Sequence, residues 1–146
     1  MIGLIQRTIS ASVAIDGERV AETGAGMLVL VGFKHDDSEQ RLDRFVERLL
    51  NYRIFPDDAG RMNRSLRDCG GDLLIVPQFT LAADTNAGNR PSFTPAAAPD
   101  QGRKFFEALQ ERMELAWPKS AYGVFGADMQ VALVNDGPVT FWIEVV

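Results

Sequence analysis

Histidine and cysteine are almost missing from this sequence: His35 and Cys69 stand alone among 146 residues. A single cysteine rules out an internal disulfide and points to a reducing, cytoplasmic compartment. One imidazole restricts any Ser-His-Asp arrangement to His35, which lies in the polar stretch Lys34-His35-Asp36-Asp37-Ser38 ahead of a predicted helix. One His and one Cys are too few for a typical zinc site, so neither a triad nor a resident metal or cofactor is expected. No apolar run approaches the roughly 20 residues that cross a bilayer, and no membrane partner is expected. The opening Met1-Ile2-Gly3-Leu4-Ile5-Gln6-Arg7 lacks the basic region and cleavage site of a signal peptide and reads as a first strand.

Positive charge is also short. Lys and Arg number 15 against 20 Asp and Glu, a net charge of −5, which argues against a protein that tracks a long duplex such as DNA. A small contact with an RNA end stays open. Arg61, Arg64 and Arg67 recur at spacing three, with Arg90 further on; solvated charges are the plainer reading of each.

What is present is patterning. The length fits one domain over 1–146, of mixed α/β class, with mostly antiparallel sheets and two covering helices. Ile2 to Ile15 reads as a long strand or two short ones, closed by the hairpin pair Asp16-Gly17, and Glu18 to Thr23 as the return strand. Met27 to Val31 is a continuous apolar run of the kind buried on both faces. Asp36, Asp37 and Ser38 offer N-caps for a helix of about fifteen residues. In it Leu42, Phe45, Val46, Leu49 and Leu50 form one apolar stripe opposite Arg41, Arg44, Glu47 and Arg48. A short strand is expected over Tyr52 to Phe55, then a turn over Pro56 to Gly60.

Asp72 to Leu81 reads as the central strand, followed by eighteen residues, Ala82 to Pro99, rich in Asn, Gly, Pro, Ser, Thr and Ala. A connection that long in a compact domain is usually functional. A second helix is predicted from Pro99-Asp100 to about Trp117 with Phe105, Leu109 and Met113 on its stripe. Strands at Gln130 to Val134 and Val139 to Val145 finish the chain.

Two segments carry chemistry. Strand Leu73-Leu74-Ile75-Val76 runs into Pro77-Gln78-Phe79-Thr80-Leu81, which places an amide, a ring and a hydroxyl at the lip of the long loop. Gln78 satisfying only the local backbone is the competing reading. The last two strands are separated by Asn135-Asp136-Gly137-Pro138. Asn-Asp-Gly alone is an ordinary hairpin turn. Pro138 changes that: it cannot donate to a ladder, and its bond to Gly137 is one of the few that can be cis at modest cost. Such a pair can present two neighbouring carbonyl oxygens rigidly, as a receptor for an ammonium group; a plain chain reversal is the alternative.

Taken together, these segments resemble the D-aminoacyl-tRNA deacylases (D-tyrosyl-tRNA deacylases) over nearly the whole length. The residues that carry the resemblance are Gln6-Arg7, Leu50-Asn51-Tyr52-Arg53, Met62-Asn63-Arg64-Ser65-Leu66, Gln78-Phe79-Thr80-Leu81, Arg90-Pro91-Ser92-Phe93, Phe125 to Val131 and Asn135 to Thr140. The resemblance implies a homodimer with a barrel-like core. It implies hydrolysis of the ester that joins a D-amino acid, or glycine as on tRNA(Ala), to the 3′-terminal adenosine of tRNA.

By that resemblance Gly137 and Pro138 are the chiral selector. Their bond is cis, and the pair enters the active site of the other subunit, where its carbonyl oxygens hold the α-ammonium so that an L side chain clashes. Arg7 fixes the selector loop. Gln78, Phe79 and Thr80 line the reacting carbonyl, and Phe125 and Met129 contact the adenine. The sequence departs from the pattern at Pro77, where the family has serine, and at Asn86-Ala87-Gly88-Asn89, where basic residues are frequent. These departures keep two alternatives in view: a tRNA-end binding module with weakened catalysis, and a hydrolase of small D-amino-acid esters.

Overall fold

The computed structural model describes residues 1–146. Its organising element is a single strand, β1 (Ile2–Ile15). Along one edge, the first half of β1 pairs antiparallel with β3 (Gly26–Gly32) and its second half with β2 (Glu18–Thr23). The β1–β2 turn is Asp16-Gly17, with φ of +50° and +80°, as a two-residue type I′ hairpin requires. The other edge of β1 is taken by β8 (Gln130–Glu144), which pairs from Ile2 to Ala14.

β6 (Asp72–Pro77) adds parallel to β3, and β7 (Ser120–Tyr122) parallel to β6. The sheet runs β2-β1-β3-β6-β7, with β8 on β1. Because β1 serves so many partners the sheet curls over itself into a barrel-like core. Alternation explains why β3 is apolar without a break. Met27, Val29 and Val31 face the helices with Leu73 and Ile75, while Leu28 faces Ala11, Val13, Leu74 and Val76 on the other side.

Helix α1 (Glu39–Asn51) buries the predicted stripe of Leu42, Phe45, Val46, Leu49 and Leu50; each such side chain contributes about 1.5–3 kcal/mol of transfer free energy. Helix α3 (Pro99–Ala116) packs beside it, joined by Arg112 to Asp43 at 2.6 Å and to Glu39 at 3.2 Å. Its buried line is Gly102, Phe106, Leu109 and Met113. Phe105, expected on that line, is only partly buried and lies against Phe33 at 5.6 Å. No helix is long and apolar enough to cross a membrane.

The Met1 ammonium is buried against Asp37 Oδ1 at 2.6 Å, both side chains fully covered. It also donates to the Val145 carbonyl at 3.0 Å. Asp37 is completed by the Lys34 N–H at 2.7 Å and by Arg41 at 3.1 Å. The start of β1, the end of β8 and the entry to α1 thus meet at one charge cluster.

Three strand expectations change, and one strand is added. The strand expected over Tyr52 to Phe55 is only β4 (Phe55–Pro56), paired with β5 (Met62–Arg64) and followed by the short helix α2 (Leu66–Cys69). The central strand stops at Pro77, and Phe79–Ala82 form a 3-10 turn. β7, only three residues long, was unannounced by pattern. The two final strands are one: pairing with β1 resumes on both sides of the interruption, with Thr8 opposite Asn135 and Gln6 opposite Thr140. Residues 136–139 form a wide bulge facing Arg7 alone, not a chain reversal.

Candidate active site

The end of β6 sets one lip of the site. Pro77 stands where the β6–β7 ladder ends: Gly123 N–H donates to Ile75 at 2.8 Å, and the next donor of the parallel pattern would be residue 77, which as proline has none. The Pro77 ring fills that space, with Cδ 3.3 Å from where a Cβ on Gly123 would sit. On its other edge the chain stays paired to β3, Gln78 N–H donating to Val31 at 2.7 Å.

The backbone then tightens into the 3-10 turn, closed by Leu81 N–H to the Gln78 carbonyl at 3.2 Å. The first N–H groups of such a turn have no partner within it, which leaves those of Phe79 and Thr80 for a ligand. Gln78 Nε2 donates to Thr80 Oγ1 at 2.6 Å, locking amide and hydroxyl together. The Phe79 ring is more than half exposed and rests on Phe93 at 5.1 Å.

Pro77, Gln78 and Phe79 open into a mostly apolar cleft of about 650 Å³. Phe125 to Met129 line it too, with Val31, Phe33 and Val76, and Met129 and Pro77 converge over Gly123. The long loop contributes Phe93 and Ala96 to Ala98. That loop is pinned by Asp84 and Ser92 through reciprocal backbone bonds of 2.8 and 2.9 Å, and by Ala97 N–H to Phe33 at 2.9 Å. Phe125 packs on Phe106 at 6.2 Å. Met129 is seated by its sulfur, which accepts from Val124 N–H at 3.3 Å and needs the bare Cα of Gly123 beneath it.

The cleft therefore collects Gln78, Phe79, Phe125 and Met129, with Thr80 bonded to Gln78 at its edge. His35 does not line it; its carbonyl accepts from Gln101 at 3.2 Å. Nowhere do three His, Cys, Asp or Glu side chains gather as a metal would need. The cleft offers donors and apolar walls, not an imidazole base.

Gly137 and Pro138 lie elsewhere. Their peptide bond is cis and Gly137 has φ +135°. The bulge is stapled by Asn135, whose Oδ1 accepts from Val139 N–H at 2.9 Å and whose Nδ2 donates to Thr140 Oγ1 at 2.9 Å. Arg7 braces it from below: Nε donates to the Asp136 carbonyl at 3.0 Å and Nη1 to the Ile54 carbonyl at 2.9 Å. Asn135 and Thr140 thus support the site from either flank of the motif, a role that pairing across the bulge gives them and residue type alone does not announce.

The register separates bulge and cleft. Arg7 is level with Met27 and Leu73, whereas the cleft begins at the level of Val31 and Pro77. Four residues along the strands is about 13 Å, and the three spacings from β8 to β6 about 14 Å. Within one chain the exposed Gly137-Pro138 pair does not border the cleft.

The fold defines the class. A solved structure called c-Myc DNA Unwinding Element Binding Protein is similar with a TM-score of 0.95 at 35% identity, covering 100% of this chain and 99% of that one. A second, described as a probable eukaryotic D-amino acid tRNA deacylase, reaches a TM-score of 0.88 at 19% identity over 99% and 98%, which speaks for the fold alone. The sequence then gives the family. Residues 4–144 match the family described as D-Tyr-tRNA(Tyr) deacylase. The D-aminoacyl-tRNA deacylase of Alkalilimnicola ehrlichii is 56% identical over 99% of this chain and 96% of its own. That of Escherichia coli is 52% identical over 99% and 100%. The chain belongs to the D-Tyr-tRNA(Tyr) deacylase family and is an enzyme, a hydrolase of ester bonds.

Proposed function

We propose that the protein hydrolyses the ester of D-aminoacyl-tRNA, and of glycyl-tRNA(Ala), to free amino acid and tRNA. The observation that carries this reading is the cleft, which brings Gln78 and Phe79 together with Phe125 and Met129. Its volume of about 650 Å³ suits an adenosine with an attached aminoacyl group. Phe125 and Met129 take the adenine, and the ester carbonyl lies at the 3-10 turn.

Water attacks the carbonyl carbon; the carbonyl oxygen gains negative charge and meets the N–H groups of Phe79 and Thr80. One such donor is worth about 3–4 kcal/mol where measured. Collapse breaks the bond to the ribose 3′-oxygen, which leaves with a proton. An aminoacyl ester is already activated, so positioning of water by Thr80, Gln78 and the ribose 2′-hydroxyl suffices without a histidine.

Chirality is read by Gly137 and Pro138 of a second copy, because the register keeps a chain's own pair away from its own cleft. Exposed apolar side chains on β1 and β8, Ile9, Val134, Phe141 and Trp142, are available to a homodimer contact. Selection through carbonyl oxygens and a steric wall never reads the side chain, which suits a site for many D-amino acids. The cytoplasm, where tRNA is charged, is the compartment this reading requires. DNA binding, which the name of one structural neighbour invokes, draws no support from a net charge of −5.

Pro77 favours one other reading, a module that binds the tRNA end with little catalysis. Single-turnover assays with D- and L-tyrosyl-tRNA and with a free D-tyrosyl ester distinguish the cases. Loss of the D-aminoacyl-tRNA ester alone is expected. No loss of either tRNA ester points to the module, and equal cleavage of the free ester points to a metabolite hydrolase.

A further inference from the structure

We infer that Arg103 forms a phosphate subsite at the rim of the cleft, held there by the cation–π contact of its guanidinium with Phe125. This rests on the reading that Phe125 meets the terminal base. Arg103 lies in the first turns of α3, exposed, with its Cζ 5.1 Å from the centroid of the Phe125 ring. It also abuts Gly126, whose Cβ would come within 3.5 Å of Nη2. Phe125 and Gly126 both line the cleft, so the guanidinium stands at its edge.

Two features make this more than a surface cation. Arg103 enters none of the chain's ion pairs, whereas Arg112 on the same helix is held by two carboxylates. Asp128 shares the cleft wall but lies beyond ion-pair distance. The cation–π contact also holds the guanidinium over the ring, and its N–H groups enter no hydrogen bond within the chain, which leaves them for a phosphate. The seat is closely fitted: a Cβ on Gly102 would meet the Phe125 ring at 3.1 Å, so the glycine lets the ring lie flush on α3 beside Arg103.

The charge balance gives the subsite its purpose. At net −5 the protein as a whole repels a polyanion, so a local cation is needed where the terminal nucleotide enters. With Arg103 over one face of Phe125, the base is left the other face or the edge. Its phosphodiester then falls to the guanidinium side.

The test compares AMP with adenosine, two probes that differ only in the phosphate. AMP is expected to bind the unmodified protein about tenfold more tightly than adenosine, the scale of one charge-assisted contact. Arg103→Ala is expected to erase that advantage, and Arg103→Lys, which keeps the charge but not the planar fork, to restore part of it. With D-tyrosyl-tRNA, Arg103→Ala should raise KM and flatten its salt dependence by about 0.7 in log–log slope, one lost phosphate contact on a single strand.

Equal binding of AMP and adenosine by the unmodified protein overturns the subsite, as does an Arg103→Ala variant that weakens both equally, since that is a loss of Phe125 packing only. A protein that prefers AMP through Arg103 yet leaves D-tyrosyl-tRNA intact keeps the subsite and loses the proposed function. Hydrolysis with an unchanged AMP preference in Arg103→Ala gives the reverse.

Discussion

Gly137→Ala is the sharpest probe of the selector, because the structure supplies both its cost and its consequence. At φ +135° an L side chain is strained wherever there is room, at about 1–3 kcal/mol. Here there is no room. The added Cβ would sit 2.7 Å from Val139 Cγ2, 3.1 Å from Val139 N and 3.2 Å from Arg7 Nη2. Those neighbours are the two anchors of the bulge, since Val139 N–H is bonded to Asn135 and Arg7 to the Asp136 carbonyl. A methyl therefore wedges the staple and the brace apart and moves both carbonyl oxygens.

The strain alone should lower Tm by about 3–10 °C for a domain of this size. Displacement by an ångström is enough to cost about a hundredfold in a positioned reaction. D- and L-tyrosyl-tRNA hydrolysis with enzyme in excess should therefore show the D-over-L ratio reduced at least about tenfold. Gly17→Ala is the control: Gly17 also has positive φ, +80°, but nothing lies within 4 Å of its Cβ position. It should lose stability and keep discrimination. A folded Gly137→Ala protein with an unchanged ratio would refute the selector role.

Other outcomes follow from the same contacts. Asp37→Asn should cost about 3–5 kcal/mol in urea unfolding, the scale for stranding a buried charge, because it leaves the Met1 ammonium without its carboxylate at zero exposure; an unchanged midpoint would mean the ammonium is hydrated. On the proposed cross-subunit selector, Trp142→Glu should give a monomer by light scattering and lose hydrolysis with it; an active monomer would break the link between dimer and site. Ser65 N–H and hydroxyl bond to the Asp68 carboxylate and hold its pKa below the usual value of 3.8. A folded value below the unfolded one stabilises fully above the unfolded pKa and ceases as pH falls through the folded one. Protection of the α2 amides, relative to their intrinsic exchange at each pH, should accordingly fall below about pH 4, and Asp68→Asn should remove that pH dependence.

The sequence was most legible where a signal repeats within one element. The stripe from Leu42 to Leu50 needs only helical spacing, and Asp16-Gly17 only local turn chemistry, and both stand as read. It was least legible where pairing at a distance decides. Asn135 to Pro138 has the composition of a chain reversal, yet both flanks stay bonded to β1, and only the register against Thr8 and Gln6 turns the segment into a bulge. Pro77 is similar: its effect depends on β7 having ended at Tyr122, a strand of three residues with no pattern of its own.

The cleft shows the same division. Gln78, Phe79, Phe125 and Met129 carry recognisable chemistry, but much of the surface between them is alanine, valine and phenylalanine drawn from β3, β6, β8 and the long loop. Arg103 is the clearest case. In the chain it is one more helix cation, and it acquires a function only because Gly102 lets Phe125 lie beside it, twenty-two residues away. The residues that perform chemistry are thus written in the sequence as types, while the residues that aim them are written as absences: a missing Cβ at 102, 123 and 137, and a missing carboxylate beside Arg103. Such absences have no composition to read and become visible only when the neighbours are in place.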